Sequence, residues 1–404
     1  MMNTPLSEQI KIVIFGLRNS GKSFLMNNIF EKDVAIVSDN PGTTTDPVTR
    51  SMELGVLGPV TITDTAGIDD EGELGKLRIE KSIERLAVSD IALFVSKVDT
   101  PPTDTEEEFL KELKSKNKLI IFVLTFGDKE PNNEKIEWIK EFGYVIIDNV
   151  KKTGIDKLKK ILIENYDKLE YEITPVEGLV SEQDFVILVT PIDLAAPKGR
   201  LILPQVETIR DLLDRDCGVL IVKERELKYF YDSLNIKPKL VITDSQAFSK
   251  VAADIPEDQL LTSFSILFAR KKGELAYFVE GVKKLKNIKP NSKILVLESC
   301  SHHRQADDIG TVKIPRLFKQ LVEPSVTFDF AHNIPEGEKL KEYSLVINCA
   351  GCMVTRNKML NRIQILKENS IFGVNYGLFL AYVNGLLPRA LEPFEYEYQL
   401  FRTL

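Results

Sequence analysis

Residues 16–23, GLRNSGKS, form the segment of this sequence with the clearest capacity for chemistry, because they match the pattern GxxxxGKS in full. In such a loop the backbone amides curl around phosphate oxygens, Lys22 neutralises the β and γ oxygens, and the Ser23 hydroxyl reaches Mg²⁺. An apolar run precedes the segment and a helical pattern follows it, which is the context that a phosphate-binding loop requires. The residues predicted to contact the nucleotide are Gly16, Ser20, Gly21, Lys22 and Ser23.

Two later segments supply the expected companions of that loop. Asp64 and Gly67 belong to DTAG, directly after a predicted strand, so Asp64 can hold Mg²⁺ through water and the Gly67 amide can meet a γ-phosphate. The segment PGTTTD lies between the loop and this strand, where a mobile switch belongs. Within it, Thr44 is favoured as the residue that closes on Mg²⁺, with Thr43 second.

The cysteines form the second chemical group. Cys300 follows the predicted strand KILVLES, and Cys349 and Cys352 form a CxxC after the strand YSLVIN. If these strands are parallel in one sheet, both sets reach its carboxyl edge, with His302 nearby. A Cys3His zinc site, an iron–sulfur cluster with one open iron, and a redox dithiol all remain open, with zinc slightly favoured by the spacing. The fourth cysteine, Cys217, is interpreted as a small buried residue.

The pattern of elements predicts an α/β protein with parallel sheets. Apolar strand-like runs alternate with longer amphipathic stretches from Ile10 onward, and 404 residues correspond to about two or three domains. We predict a P-loop domain over 1–170, a middle α/β domain over 178–266 and a C-terminal α/β domain over 267–404. The run LLTSFSIL is expected to end the middle domain, and a basic turn at Arg270–Gly273 to open the last one.

Composition narrows the class of protein. The 53 Lys and Arg against 60 Asp and Glu give a net charge of −7, which argues against a protein that coats nucleic acid. The most apolar stretches are well short of the roughly 18 residues that a spanning helix needs, so no membrane association is expected. The N-terminal residues lack a secretory pattern, which predicts a cytoplasmic location, where thiols stay reduced.

Residues 8–168 resemble the GTPases of the TrmE–Era group, which carry the same GTT-type switch. The resemblance implies GTP as the nucleotide. It also implies a K⁺ site at Asn19, and therefore hydrolysis that K⁺ stimulates. Basal hydrolysis is expected to be slow, because Ile68 stands where Ras-like enzymes orient water with a glutamine. The guanine-reading NKxD element falls on TFGD, residues 125–128, where only Asp128 survives, and the later SAK element corresponds loosely to residues 149–151.

The whole chain resembles the HydF-type maturation GTPases of [FeFe]-hydrogenases, on the order of its domains and the CxH…CxxC spacing. That resemblance implies a [4Fe–4S] cluster on Cys300, Cys349 and Cys352, with His302 as candidate fourth ligand, since Asn348 stands where many relatives have histidine. It further implies a homodimer through the middle domain. The implied role is a scaffold that takes a di-iron precursor from radical-SAM maturases to the apo-hydrogenase. The alternative is an RNA-directed GTPase, for tRNA modification or ribosome assembly, with a structural zinc; the acidic composition counts against it.

Overall fold

The computed structural model describes residues 9–31, 48–69, 82, 85–86, 89–115, 118–165, 173–191, 201–298, 308–335, 337–349, 351 and 354–403. The chain divides into two compact units, Met1–Tyr171 and Glu172–Leu404. Both units are α/β, as the sequence predicts.

The first unit is built on one six-stranded sheet. Its strands are β1 (Ile10–Phe15), β2 (Val48–Glu53), β3 (Pro59–Asp64), β4 (Ile91–Lys97), β5 (Leu119–Thr125) and β6 (Gly143–Ile146), in the order β2-β3-β1-β4-β5-β6. Its described helices are α1 (Lys22–Glu31), α2 (Asp104–Ser115), α3 (Asn133–Ile139) and α4 (Ile155–Glu164). Separate apolar cores cover the two faces of the sheet, which explains why its central strands are continuous apolar runs.

One strand of this sheet departs from the predicted parallel arrangement. β2 pairs antiparallel with β3 at the edge of the sheet, and most of its side chains are partly or fully exposed. Its sequence, VTRSME, has no apolar run, so the pattern that identified the buried strands could not identify this one.

The second unit contains two parallel four-stranded sheets. The first, ordered β10-β9-β7-β8, has strands β7 (Phe185–Val189), β8 (Gly218–Val222), β9 (Leu240–Thr243) and β10 (Leu261–Ser263). The second, ordered β12-β11-β13-β14, has strands β11 (Lys293–Leu297), β12 (Thr327–Ala331), β13 (Tyr343–Asn348) and β14 (Phe372–Asn375). The described helices are α5 (Leu203–Asp214), α6 (Leu227–Ser233), α7 (Phe248–Asp254), α8 (Phe264–Lys272), α9 (Leu275–Lys284), α10 (Ile314–Leu321), α11 (Arg356–Glu368), α12 (Tyr376–Val383) and α13 (Glu395–Arg402).

Helix α8 corrects the predicted basic turn at Arg270–Gly273. Arg270, Lys271 and Lys272 form the last turn of this helix, and Gly273 follows it. The helix is buried almost all round because it packs against α5 as well as α11 and α12, within one core that both sheets share. An apolar segment buried on every side has no helical periodicity, so it is easily taken for a strand. The predicted domain boundary at 266/267 lies inside α8 and stays a prediction.

The two cysteine-bearing strands meet the condition stated for them, because they are parallel and belong to one sheet. β11 and β13 are adjacent and parallel, and Leu297 lies opposite Asn348 at their carboxyl ends. The two strands therefore end side by side, shortly before Cys300 in the sequence and directly before Cys349.

Within the described ranges, no helix combines the length and the apolar character needed to cross a membrane.

Candidate functional site: a phosphate loop and a cysteine-bearing sheet edge

The GxxxxGKS segment forms a loop between β1 and α1, as predicted. Gly16 has φ of 150°, and a Cβ there would lie 2.1 Å from the Val95 carbonyl oxygen, so only glycine fits. The Lys22 ammonium is turned into the loop, where it donates to the carbonyl oxygens of Gly16 at 2.9 Å and Leu17 at 2.7 Å. A cation held inside the loop is positioned to contact the β and γ oxygens of a bound nucleotide.

Ser23 and Asp64 come together beside this loop. The Ser23 hydroxyl at the start of α1 donates to Asp64 Oδ2 at the end of β3, at 2.6 Å. Burial raises the pKa of Asp64, while the hydrogen bond from Ser23 and the charge of Lys22 oppose that rise. Two oxygen groups in contact beside a phosphate loop are suited to hold Mg²⁺, one directly and one through water.

Gly67 lies against the phosphate loop. A Cβ at Gly67 would come within 2.9 Å of the Arg18 amide nitrogen, which itself donates to Asp69 Oδ1 at 2.6 Å. Ile68 is 7% exposed, and its amide donates to the Gly16 carbonyl, so this residue anchors the segment and cannot orient water. Thr43 and Thr44 lie outside the described residues, and their roles stay predictions.

Asn19 stands at an exposed turn of the loop with φ of 55°. Asparagine is one of the few residues that tolerate this left-handed conformation, which gives it a structural reason to be there besides cation binding.

Thr125 and Asn149 secure the other side of the loop, a role that sequence reasoning missed. The Thr125 hydroxyl is buried and donates to the Ser20 carbonyl at 2.6 Å. Asn149 Nδ2 donates to the Gly21 carbonyl at 3.2 Å, and Asn28 Nδ2 donates to the Asn149 carbonyl at 2.9 Å. The signal in the sequence for this role of Thr125 and Asn149 was their position in the partial matches to the NKxD and SAK elements. Asp128 is exposed at the carboxyl end of β5, where a base can reach it.

Cys349 lies at the shared carboxyl edge of β11 and β13. Its amide donates to the Leu297 carbonyl at 3.1 Å, and the residue is 9% exposed. Next to it, Arg362 from α11 donates to the His332 carbonyl at 2.6 Å, and His332 Nδ1 is 2.8 Å from the Glu298 carbonyl oxygen. Burial lowers the pKa of Arg362, and the Cys349 thiolate opposes this. Arg362 carries no sequence signal, because only the fold brings α11 to this edge.

Cys300, His302 and Cys352 lie outside the described residues, so the predicted ligand set is not complete in the structure. Across the described ranges, no group of three or more His, Cys, Asp or Glu side chains is arranged to hold a metal ion. Cys217 is buried, as expected, and its thiol donates to the Ser181 carbonyl at 3.2 Å.

A strand–loop–helix phosphate site with its lysine and its Ser–Asp pair, on a largely parallel sheet, defines a P-loop nucleotide hydrolase. Residues 11–126 match the family model of the 50S ribosome-binding GTPase. Residues 176–273 match the Hydrogen maturase F dimerization domain, and residues 276–393 match the Hydrogen maturase F tetramerization domain. The chain belongs to the hydrogen maturase F (HydF) family, which confirms the resemblance seen in the sequence.

Curated relatives match this chain over a shorter region than the three family models together. The chain is 35% identical over 161 residues to the tRNA modification GTPase MnmE of Thermoanaerobacter sp. (strain X514), covering 39% of this chain and 34% of that protein. It is 32% identical over 156 residues to MnmE of Clostridioides difficile (strain 630), covering 38% and 34%. The chain thus spans about a third of the length of these relatives.

Solved structures resemble the chain more distantly. The G domain of the T. maritima FeoB iron transporter is 20% identical, covers 39% of this chain and 98% of its own, and has a TM-score of 0.30. A variant of Aquifex aeolicus Era bound to GDP and AlF4⁻ is 18% identical, covers 60% and 97%, and has a TM-score of 0.34.

Proposed function

We propose that this protein is a GTP-hydrolysing scaffold that holds a [4Fe–4S] cluster and carries the di-iron precursor of the [FeFe]-hydrogenase active site to the apo-hydrogenase. Family membership and the adjacent carboxyl ends of β11 and β13 carry this proposal. Its partners are the apo-hydrogenase, the radical-SAM maturases that supply the precursor, and a second copy of the chain.

The GTPase unit performs its part through five residues on the phosphate loop and its neighbouring segments. Lys22 neutralises charge on the β and γ oxygens, while Ser23 and Asp64 hold Mg²⁺. The Gly67 amide meets the γ-phosphate, and Thr44 closes on Mg²⁺ when that phosphate is present. Since Ile68 is anchored in the core, hydrolysis lacks a water-orienting glutamine at this position and is slow.

A potassium ion bound by Asn19 compensates in part for the missing water-orienting glutamine. We expect GTP turnover to be several-fold faster in KCl than in NaCl at equal ionic strength, because an ordered cation stabilises the charge that develops on the phosphates. Asn19→Gly is the matched variant, since glycine accepts the left-handed backbone at φ of 55° and removes the side chain that carries the amide. Steady-state phosphate release checks this, and equal rates in the two salts for the unmodified protein would contradict it.

The edge beside Cys349 suits an anionic iron–sulfur cluster. Cys349 directly follows β13, and Cys300 follows the adjacent strand β11 in the sequence. Their thiolates are the soft donors that iron prefers. Arg362 adds a fixed positive charge beside Cys349. Three cysteine ligands leave one iron of a bound cluster without a protein thiolate. The precursor would attach at that open iron. His302 is the candidate fourth ligand.

Self-association is proposed through the middle sheet. β8 is an edge strand of that sheet, and it is apolar, with Ile221 42% exposed. An unpaired apolar edge is a template for pairing with another chain. Because the strand lies within the region that matches the dimerization domain, a second copy is its expected partner.

Metal content tests the scaffold proposal. Protein purified or reconstituted without oxygen is expected to be brown, with about four iron and four sulfide per chain. Such protein, loaded with precursor by the radical-SAM maturases, should activate apo-hydrogenase in a purified assay. Colourless protein that carries one zinc per chain would overturn the proposal and favour the RNA-directed alternative.

A further inference from the structure

Asn348 carries a buried side-chain amide that has no hydrogen-bond partner. It is the last residue of β13, directly before Cys349, and it is 1% exposed. Within the described part of the chain, neither its Nδ2 nor its Oδ1 makes a hydrogen bond. Removing an amide from water without replacing its hydrogen bonds costs free energy, so this side chain calls for an explanation.

Gly373 on β14 leaves space beside this amide. A Cβ at Gly373 would lie 3.4 Å from Asn348 Nδ2 and 3.3 Å from the Tyr277 hydroxyl oxygen. That hydroxyl donates to the Ile371 carbonyl at 2.8 Å, so it is engaged elsewhere. Because neither end of the Asn348 amide is bonded, a flip exchanges its nitrogen and oxygen without breaking a hydrogen bond, and the amide can donate from either end.

The amide stands at the edge of the sheet where the topology favours a ligand. Asn348 lies opposite Leu297, the last residue of β11. The chain passes from β11 to β12 on one side and from β13 to β14 on the other. The carboxyl ends of β11 and β13 therefore flank a topological switch point, and open α/β sheets bind their ligands in the crevice at such a point.

A buried cation shares this edge. Arg362 on α11 is 4% exposed and donates at 2.6 Å to the carbonyl of His332, which directly follows β12. His332 Nδ1 is in turn 2.8 Å from the carbonyl oxygen of Glu298, which directly follows β11. A fixed positive charge and an unbonded amide donor at one edge favour an anionic ligand that accepts hydrogen bonds.

The segment that follows Cys349 packs against the same helix. The Val354 amide donates to the Gly351 carbonyl at 2.9 Å, and a Cβ at Gly351 would lie 2.8 Å from Met359 Cε on α11. The CxxC segment therefore begins at Asn348 and ends at the helix that carries Arg362. Both groups belong to the surroundings of a cluster that this segment ligates.

We propose that the Asn348 side-chain amide donates a hydrogen bond to a sulfur of the [4Fe–4S] cluster and thereby raises the reduction potential of that cluster. This inference rests on the cluster that the proposed function assigns to Cys300, Cys349 and Cys352. Reduction adds negative charge to the cluster, so a donor to sulfur stabilises the reduced form more than the oxidised form. Asn348 is then a positioning residue, and the three cysteines remain the iron ligands.

The test is a redox titration of reconstituted full-length protein, followed by the electron paramagnetic resonance signal of the reduced cluster. In Asn348→Leu the ratio of reduced to oxidised cluster at a fixed potential should fall about tenfold, which is a shift of about 59 mV for a one-electron couple. Iron and sulfide per chain should stay unchanged, because all three cysteines remain. Asn348→Gln keeps the amide donor and should give an intermediate potential.

Thermal unfolding of the metal-free, full-length chain gives a second readout. There Asn348→Leu should raise the melting temperature, because it replaces an unsatisfied buried amide by an apolar side chain of similar size. A lower melting temperature would contradict the proposal, since it would mean that the amide has a partner within the protein.

Asn375 provides the matched control. It lies opposite Asn348 in the register of β13 and β14 and is also 1% exposed, but its Oδ1 accepts from the Gly377 amide at the start of α12, at 2.7 Å. Asn375→Ser keeps an oxygen that can cap this helix. It should leave the reduction potential unchanged.

Two results of the titration would overturn the role of Asn348. One is an unchanged potential in Asn348→Leu, and the other is loss of iron from that variant, which would make Asn348 necessary for holding the cluster and not for its potential. Unmodified protein that assembles no four-iron cluster would instead overturn the scaffold function on which the inference rests.

Discussion

Cys349→Ala will abolish cluster binding and hydrogenase activation while GTP turnover stays within about twofold of the unmodified protein. Cys349 is the described member of the predicted ligand set, and it lies where β13 ends beside β11. Two remaining thiolates do not hold a four-iron cluster, so iron and sulfide per chain should fall close to zero. The phosphate loop belongs to the other compact unit, which is why hydrolysis should persist.

Iron and sulfide analysis, the electron paramagnetic resonance signal of the reduced cluster, and activation of apo-hydrogenase measure this effect. Cys217→Ala is the matched control, since Cys217 is a buried thiol at 6% exposure that donates to the carbonyls of Ser181 and Arg215. It should retain full iron and full activation. A Cys349→Ala protein that keeps its iron and activates hydrogenase would refute the assignment of this cysteine.

Glu106→Gln will lower the free energy of unfolding of the first unit by about 3–5 kcal/mol. Lys135 on α3 and Glu106 on α2 form an ion pair at 2.9 Å, with side chains 0% and 1% exposed. The Ser96 hydroxyl on β4 donates to Glu106 and accepts from Lys135 at 2.8 Å. Burial lowers the pKa of Lys135, and Glu106 opposes that effect, so removing the carboxylate leaves an uncompensated buried charge.

Urea unfolding followed by tryptophan fluorescence measures this loss within the unit concerned. Trp138 is the single tryptophan of the chain, and its ring centroid is 5.1 Å from Lys135 Nζ. Adding Lys135→Met to Glu106→Gln should recover most of the stability, because the stranded charge is gone while the amide still accepts from Ser96. Equal destabilisation in the single and double variants would show that hydrogen-bond geometry, and not charge, dominates.

The NKxD and SAK elements of the GTPase site could be interpreted only in part from their sequence motifs. Four residues of the NKxD and SAK elements are altered, so from sequence alone only Asp128 is left to read the base. In the structure, Thr125 and Asn149 still fix the phosphate loop through Ser20 and Gly21. The Thr125 hydroxyl and the Asn149 amide reach these two carbonyls because β5 and β6 end beside the phosphate loop. That placement of the strands is a property of the folded sheet.

Sequence alone determined the parts of this protein whose signal is local. The phosphate loop, Asp64 at the end of its strand and the P-loop class of the first unit follow from residue types at short spacing, because glycine freedom, charge and strand periodicity act within a few residues. Tertiary structure alone decided the helical state of α8, the antiparallel edge strand β2 and the approach of Arg362 to Cys349. Each of these depends on burial between elements far apart in the chain, where packing outweighs local propensity.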